Sequence, residues 1–139
     1  MKLSTFIEKR GLTMSTISLP LQTQNMSDMP YGSSRWLVTI RREGASIHVP
    51  FPFSQGPAIQ REPTLEDVLD SLASDASAYE NADGFDDWAL ELGFFPMESS
   101  ADYKRASAIY DAVAAQTADL KYLLDLDGYE TLLWNTERL

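Results

Sequence analysis

The sequence predicts an α+β fold: a small antiparallel β-hairpin or sheet packed against an antiparallel bundle of three to four helices. Three observations lead there. Trp36, Val38 and Ile40, and again Ile47, Val49, Phe51 and Phe53, recur at every second position, and three later stretches repeat apolar residues every three or four positions. Of 139 residues, 44% are apolar and 11% aromatic, enough to bury a core without disulfides or metal.

The chain opens on a segment rich in Ser, Thr, Gln, Asn and Met, broken by Pro20, Pro30 and Gly32. This predicts a flexible or peripheral N-terminal arm over residues 1–34, ahead of a single globular domain at 35–139. Order is expected from Arg35. Trp36, Val38 and Ile40 alternate with polar neighbours, and after Gly44-Ala45 so do Ile47, Val49, Phe51 and Phe53. A two-residue turn with Gly first suggests type II′. That turn sets Ile40 opposite Val49, Val38 opposite Phe51 and Trp36 opposite Phe53, all on one face. Pro50 and Pro52 share the other face and cannot donate to a ladder, so this is expected to be an edge strand.

Pro63-Thr64-Leu65-Glu66-Asp67 reads as a helix start, with Thr64 as N-cap and acids in the first turn. Leu65, Val68, Leu69, Leu72, Ala76 and Tyr79 form its apolar stripe. Asn81 or Asp83 is expected to cap a short second helix that buries Phe85, Trp88, Ala89 and Leu92 and stops at Gly93. Ser99 or Ser100 opens the longest helix, to about Leu124, with a stripe of Tyr103, Ala106, Tyr110, Val113, Thr117, Leu120 and Leu124. Asp125 and Asp127 then fall at a helix C-terminus, where the dipole disfavours anions, and Asp127-Gly128 reads as a turn. A last turn or two, with Tyr129, Leu132, Leu133 and Trp134, is expected to fold back onto the core.

Charge is the most uneven property of the chain. The net charge is −10. Residues 1–61 carry seven bases against three acids, a balance of +4, and residues 62–139 carry four bases against 18 acids, a balance of −14. No Lys or Arg interrupts the 42 residues between Arg61 and Lys104, which hold 12 acids. An ordinary surface mixes both signs. Glu66, Asp67 and Asp70 on the first predicted helix, and Asp83, Asp86, Asp87 and Glu91 on the second, are the candidate binding residues. Acids in a first turn are explained by the dipole. Like charges at i,i+4 each cost a few tenths of a kcal/mol. A solvated surface and an anionic face offered to a basic partner both fit this pattern. If the spacing approximates phosphates, such a face acts as a DNA mimic.

Several chemistries find no support. The single histidine, His48, rules out a His₂ or His₃ zinc site within one chain, and it lies on the solvent side of the predicted hairpin. Absent cysteine removes disulfide and thiolate chemistry. Two Asp-Gly stretches resemble calcium loops. Indexed on the glycine, however, they put Leu123 and Trp134, or Tyr79 and Leu90, at terminal ligand positions. No phosphate-binding loop is present. The reading is therefore not an enzyme, with no catalytic residue, no metal and no cofactor. Acidity argues against direct duplex DNA binding. No run approaches a membrane span, and Lys2, Lys9 and Arg10 lead into no apolar stretch, so neither membrane nor secretion is expected.

From Trp36 onward the order of features resembles small acidic proteins common in tailed bacteriophages and prophages. The likeness rests on the hairpin at 35–53, Asp67-Val68-Leu69-Asp70-Ser71-Leu72-Ala73-Ser74-Asp75-Ala76, Phe85-Asp86-Asp87-Trp88-Ala89-Leu90-Glu91-Leu92-Gly93-Phe94, residues 104–110 and the close at 130–139. Such proteins often carry a shorter polar turn after the glycine. Here Phe95-Pro96-Met97-Glu98-Ser99-Ser100 departs from it. The resemblance implies a phage accessory protein acting in the bacterial cytoplasm, in the manner of anti-CRISPR and other anti-defence inhibitors. Its partner would be a basic surface of a CRISPR or restriction complex. The alternative is an interaction module that uses Arg41, His48 and the 50–53 strand edge, leaving the acids merely solvated.

Overall fold

The computed structural model describes residues 2–19, 36–51 and 61–137. The element order is α1 (Leu3–Arg10), β1 (Thr13–Ser18), β2 (Trp36–Arg42), β3 (Ala45–Phe51), α2 (Leu65–Asn81), α3 (Phe85–Glu91) and α4 (Ser100–Glu137). The strands form one antiparallel sheet in the order β1-β2-β3. The architecture is α+β, as the two periodicities predict. No helix among the described residues is long and apolar enough to cross a membrane.

The start of the chain corrects the expectation of a peripheral arm. Residues 3–18 form α1 and the third strand, and Phe6 and Leu12 are buried in the core. α1 ends with the Leu12 N–H donating to the Ile7 carbonyl, which turns Leu12 inward. β1 pairs along its whole length with β2, from Thr13 opposite Arg41 to Ser18 opposite Trp36. Residues 20–34 of the expected arm lie outside the described residues.

The hairpin keeps its predicted face but not its register. Glu43 and Gly44, with φ of 45° and 86°, make the two-residue turn. Positive φ at both positions is the type I′ pattern, whose twist matches that of the strands. Ile40 therefore faces Ile47, Val38 faces Val49 and Trp36 faces Phe51. The two-residue shift leaves Trp36, Val38, Ile40, Ile47, Val49 and Phe51 on one face, because side chains alternate with period two. β3 is an edge strand. Pro52 and Phe53 lie outside the described residues.

α2 begins in a reciprocal capping box. The Thr64 hydroxyl accepts from the Asp67 N–H at 3.1 Å, and the Asp67 carboxylate accepts from the Thr64 N–H at 2.9 Å. At the start of α3, neither Asn81 nor Asp83 caps the helix; Gly84 holds that position without a side-chain bond. Its end is as expected. Gly93, at φ 90°, lets its own N–H reach the Leu90 carbonyl while the Phe94 N–H reaches Ala89. This closes the helix and buries Phe94. Ser99 caps α4 through its hydroxyl, which accepts from the Asp102 N–H.

α4 is interrupted at Asp125, at φ 60° and ψ 172°. The conformation is one that glycine alone adopts readily. Here the Asp125 carboxylate accepts from the Gly128 N–H at 2.8 Å and caps the helical segment that follows. Asp125 and Asp127 thus sit at a helix N-terminus, where the dipole favours them, and not at the C-terminus the sequence suggested. Asp127-Gly128 is helical, not a turn. Arg42 braces the break from the end of β2. Its guanidinium donates to the Arg10 carbonyl, to the Leu123 carbonyl and to the Asp125 carboxylate, at 3.2 to 3.3 Å. Two of these are carbonyls that helix ends leave open.

Two apolar clusters share α4. The larger joins Phe6, the inner face of the sheet, α2 and Leu120, Leu123, Leu124, Tyr129 and Leu132. The smaller joins Trp88, Ala89 and Phe94 to Ala106, Ile109 and Val113. Rings of Tyr79, Phe85, Trp88, Tyr103 and Tyr110 pack edge-on, tilted or stacked at 5.1 to 6.3 Å around this second cluster, which fixes α3 in place. Leu92 and Trp134, expected inside, are exposed.

Candidate functional site

The seven candidate acids fall in two places. Glu66, Asp67 and Asp70 occupy the first turns of α2, and Asp83, Asp86, Asp87 and Glu91 lie just before and on α3. From Asp70 to the end of α2 is about 16 Å of helix at 1.5 Å per residue. The structure brings the second group together and leaves the first at the opposite end of α2.

Their surroundings differ as well. Asp67 serves the fold: besides the capping box, it receives Arg61 at 2.8 Å. The Arg61 hydrogen bond holds its carboxyl below the usual carboxylate range. Asp87 accepts from the Asp83 N–H at 3.0 Å and braces the turn between α2 and α3. Glu66, Asp70, Asp83, Asp86 and Glu91 are exposed. Among the described residues, no cation forms an ion pair with any of these five. Three acids elsewhere do meet a cation: Glu80 meets Lys121 at 2.7 Å, and Asp125 and Asp127 meet Arg10 and Arg42 at 3.0 to 3.5 Å.

Beside α3 lies a feature that the acid pattern does not reveal. Leu90, Phe95 and Met97 are 55%, 52% and 86% exposed. With Pro96, Asp86 and Glu98 they line a depression of about 70 Å³. The loop that carries them is anchored. The Phe95 N–H donates to the Asp102 carboxylate at 2.9 Å, and the Phe95 carbonyl accepts from the N–H groups of Glu98 and Ser99. Phe94 enters the core while Phe95, its neighbour, faces out. In sequence, Leu90 falls off the stripe of its helix and Phe95-Pro96-Met97 is an apolar run outside any helix. That was the available signal.

The sheet side carries the alternative. Arg41 donates to the Ser15 hydroxyl at 2.9 Å, and His48 Nδ1 lies 2.9 Å from the Thr39 hydroxyl, so both engage neighbouring strands. The same face bears a row of apolar residues across all three strands, Ile17 beside Leu37 beside Pro50, with Ile17 exposed. Among the described residues, no group of three His, Asp or Glu is placed to hold a metal ion. One further depression, of about 410 Å³, is lined by Phe6, Lys9, Arg10, Arg42, Asp127 and Thr131. It adjoins the ion pairs of the α4 break. Comparison of the chain with protein-family models, with curated proteins and with solved structures finds no match.

Proposed function

We propose that the protein is a non-enzymatic phage inhibitor that binds a basic, nucleic-acid-contacting surface of a bacterial defence complex, in the anti-CRISPR manner, through the acids of α3. One observation carries this reading. Among the described residues, Asp83, Asp86 and Glu91 stand exposed and without an ion pair just before and on one short aromatic-braced helix, within a 42-residue stretch that holds 12 acids and no Lys or Arg. Only Asp86, in the first turn of α3, gains from the helix dipole; the like charges otherwise repel. A rigid anionic patch steers a basic partner and raises its association rate, at a strength that falls with salt. The nucleic-acid-binding identity of that partner rests on the resemblance to phage accessory proteins. Glu66 and Asp70 add to the same negative field from the far end of α2, where Arg61 compensates Asp67.

The test is affinity capture of CRISPR and restriction complexes from a bacterial lysate, followed by binding measurements across a salt series with nucleic acid as competitor. Binding should weaken as salt rises and should compete with nucleic acid. The combined change Asp83→Asn, Asp86→Asn and Glu91→Gln should lower affinity about tenfold or more, or 1.4 kcal/mol and upward. An inhibitor unaffected by that triple change would sink the reading. The row Ile17, Leu37 and Pro50 favours a second one, an interaction module using the outer face of the sheet. In that case Arg41→Glu abolishes association and the triple change does not.

A further inference from the structure

Four hydrogen bonds and two helix ends hold the 93–99 loop in one shape, yet that shape keeps Phe95 and Met97 in water. Apolar surface withheld from a core contributes nothing to folding, and a rigid loop presenting it lowers the entropic cost of binding. The depression between Leu90, Phe95 and Met97, about 70 Å³, is far below the ~300–1,000 Å³ of a metabolite pocket. It matches a single inserted side chain, the anchor geometry of protein interfaces. Its rim is acidic: Asp86 and Glu98 line it, with Glu91 on the adjoining helix and Asp83 just before that helix. No Lys or Arg lies between residues 61 and 104 in sequence to neutralise them.

From this geometry we infer that the Leu90–Phe95–Met97 depression receives one apolar side chain from a partner segment in which Lys or Arg residues flank that anchor. The basic residues pair with Asp86, Glu98 and the α3 acids while the anchor displaces water between them. This extends the acidic-face reading and rests on it. It places specificity in the loop, where the chain departs from the phage proteins it resembles.

Three short helical peptides serve as probes on the intact protein: one repeating Lys-Leu-Ala, one repeating Lys-Ala-Ala, and one repeating Glu-Leu-Ala. Titration calorimetry gives affinity, and amide chemical shifts give location. The Lys-Leu-Ala peptide should bind about tenfold or more tightly than Lys-Ala-Ala. It should shift residues 90–98, and Met97→Asp or Leu90→Ala should remove that advantage. Both side chains project into solvent, so these variants keep the fold; the circular dichroism melt checks this. Equal binding of the two Lys peptides, with the Asp83/Asp86/Glu91 variant weakening both, overturns the anchor site and leaves the acidic face standing. Equal binding of the Glu-Leu-Ala peptide overturns the basic partner and the acidic-face reading together. No shift at residues 90–98 with any peptide also overturns the inference.

Discussion

Two acidic regions of this protein use the same side chains to opposite ends. At the α4 break, Asp125 and Asp127 are held by Arg10 and Arg42, and the Asp125 carboxylate caps a helix. Its pKa is lowered first by the Gly128 N–H bond and then by the two guanidiniums, so it adds stability that is lost as pH falls through that lowered pKa. Just before and on α3, Asp83, Asp86 and Glu91 meet no cation among the described residues and cap no helix. One set closes the fold upon itself. The other faces outward, with apolar residues beside it.

Asp75 belongs to neither set and gives the largest expected effect. It lies on α2 between turns that bury Leu72 and Ala76; one carboxylate oxygen is buried without a partner, and burial pushes its pKa up to about 7. In the unfolded chain it ionises near 3.8. Between these values the folded state holds a proton that the unfolded state has released, so stability falls as pH rises from 4 to 7 and is level above. The difference amounts to about 4 kcal/mol at most. Asp75→Asn should remove that slope. Urea denaturation of both proteins from pH 4 to 8 measures it; an unchanged slope would show that another group titrates there.

Arg42→Ala comes next. It leaves the carbonyls of Arg10 and Leu123 without their donor and Asp125 without one of its cations. A loss of about 2 kcal/mol is expected. Arg42→Lys should recover only part of it, because an ammonium cannot span three acceptors set in different directions. The smallest effect sharpens the contrast from the other side. The triple change at Asp83, Asp86 and Glu91 that is expected to weaken binding about tenfold or more should shift folding stability by less than about 0.5 kcal/mol, because relieved repulsion offsets the lost dipole contribution of Asp86. A marked loss of stability would mean that these acids also serve the fold.

How much of this was legible in the sequence depended on how local the cause was. Thr64, Gly93 and the Trp36–Ile40 alternation act within a turn or a strand, and each was readable. β1 was not: Thr13-Met14-Ser15-Thr16-Ile17-Ser18 has no apolar alternation, and its order comes from pairing with β2, 18 to 28 residues away. α1 is only eight residues long, and its Leu3, Phe6 and Ile7 spacing spans little more than one turn, too short a repeat to stand out. The break at Asp125 was hidden because it uses aspartate where glycine would advertise it, braced by arginines from two distant elements. The hairpin turn moved by one residue, and the register by two, because Glu43 accepts a positive φ. In the candidate site, the acids were countable from sequence, but the apolar depression between them required the path of the 93–99 loop.

The division of α4 between two clusters has its own consequence. Ala106, Ile109 and Val113 serve the aromatic cluster, while Leu120, Leu123 and Leu124 serve the sheet, with about two turns of helix between Val113 and Leu120. A helix loaded at both ends in this way is a natural seam between cooperative units. The α3 end can open sub-globally while the sheet end stays closed. A partner seated on α3 would then suppress that opening and slow amide exchange along residues 100–113 without touching the sheet.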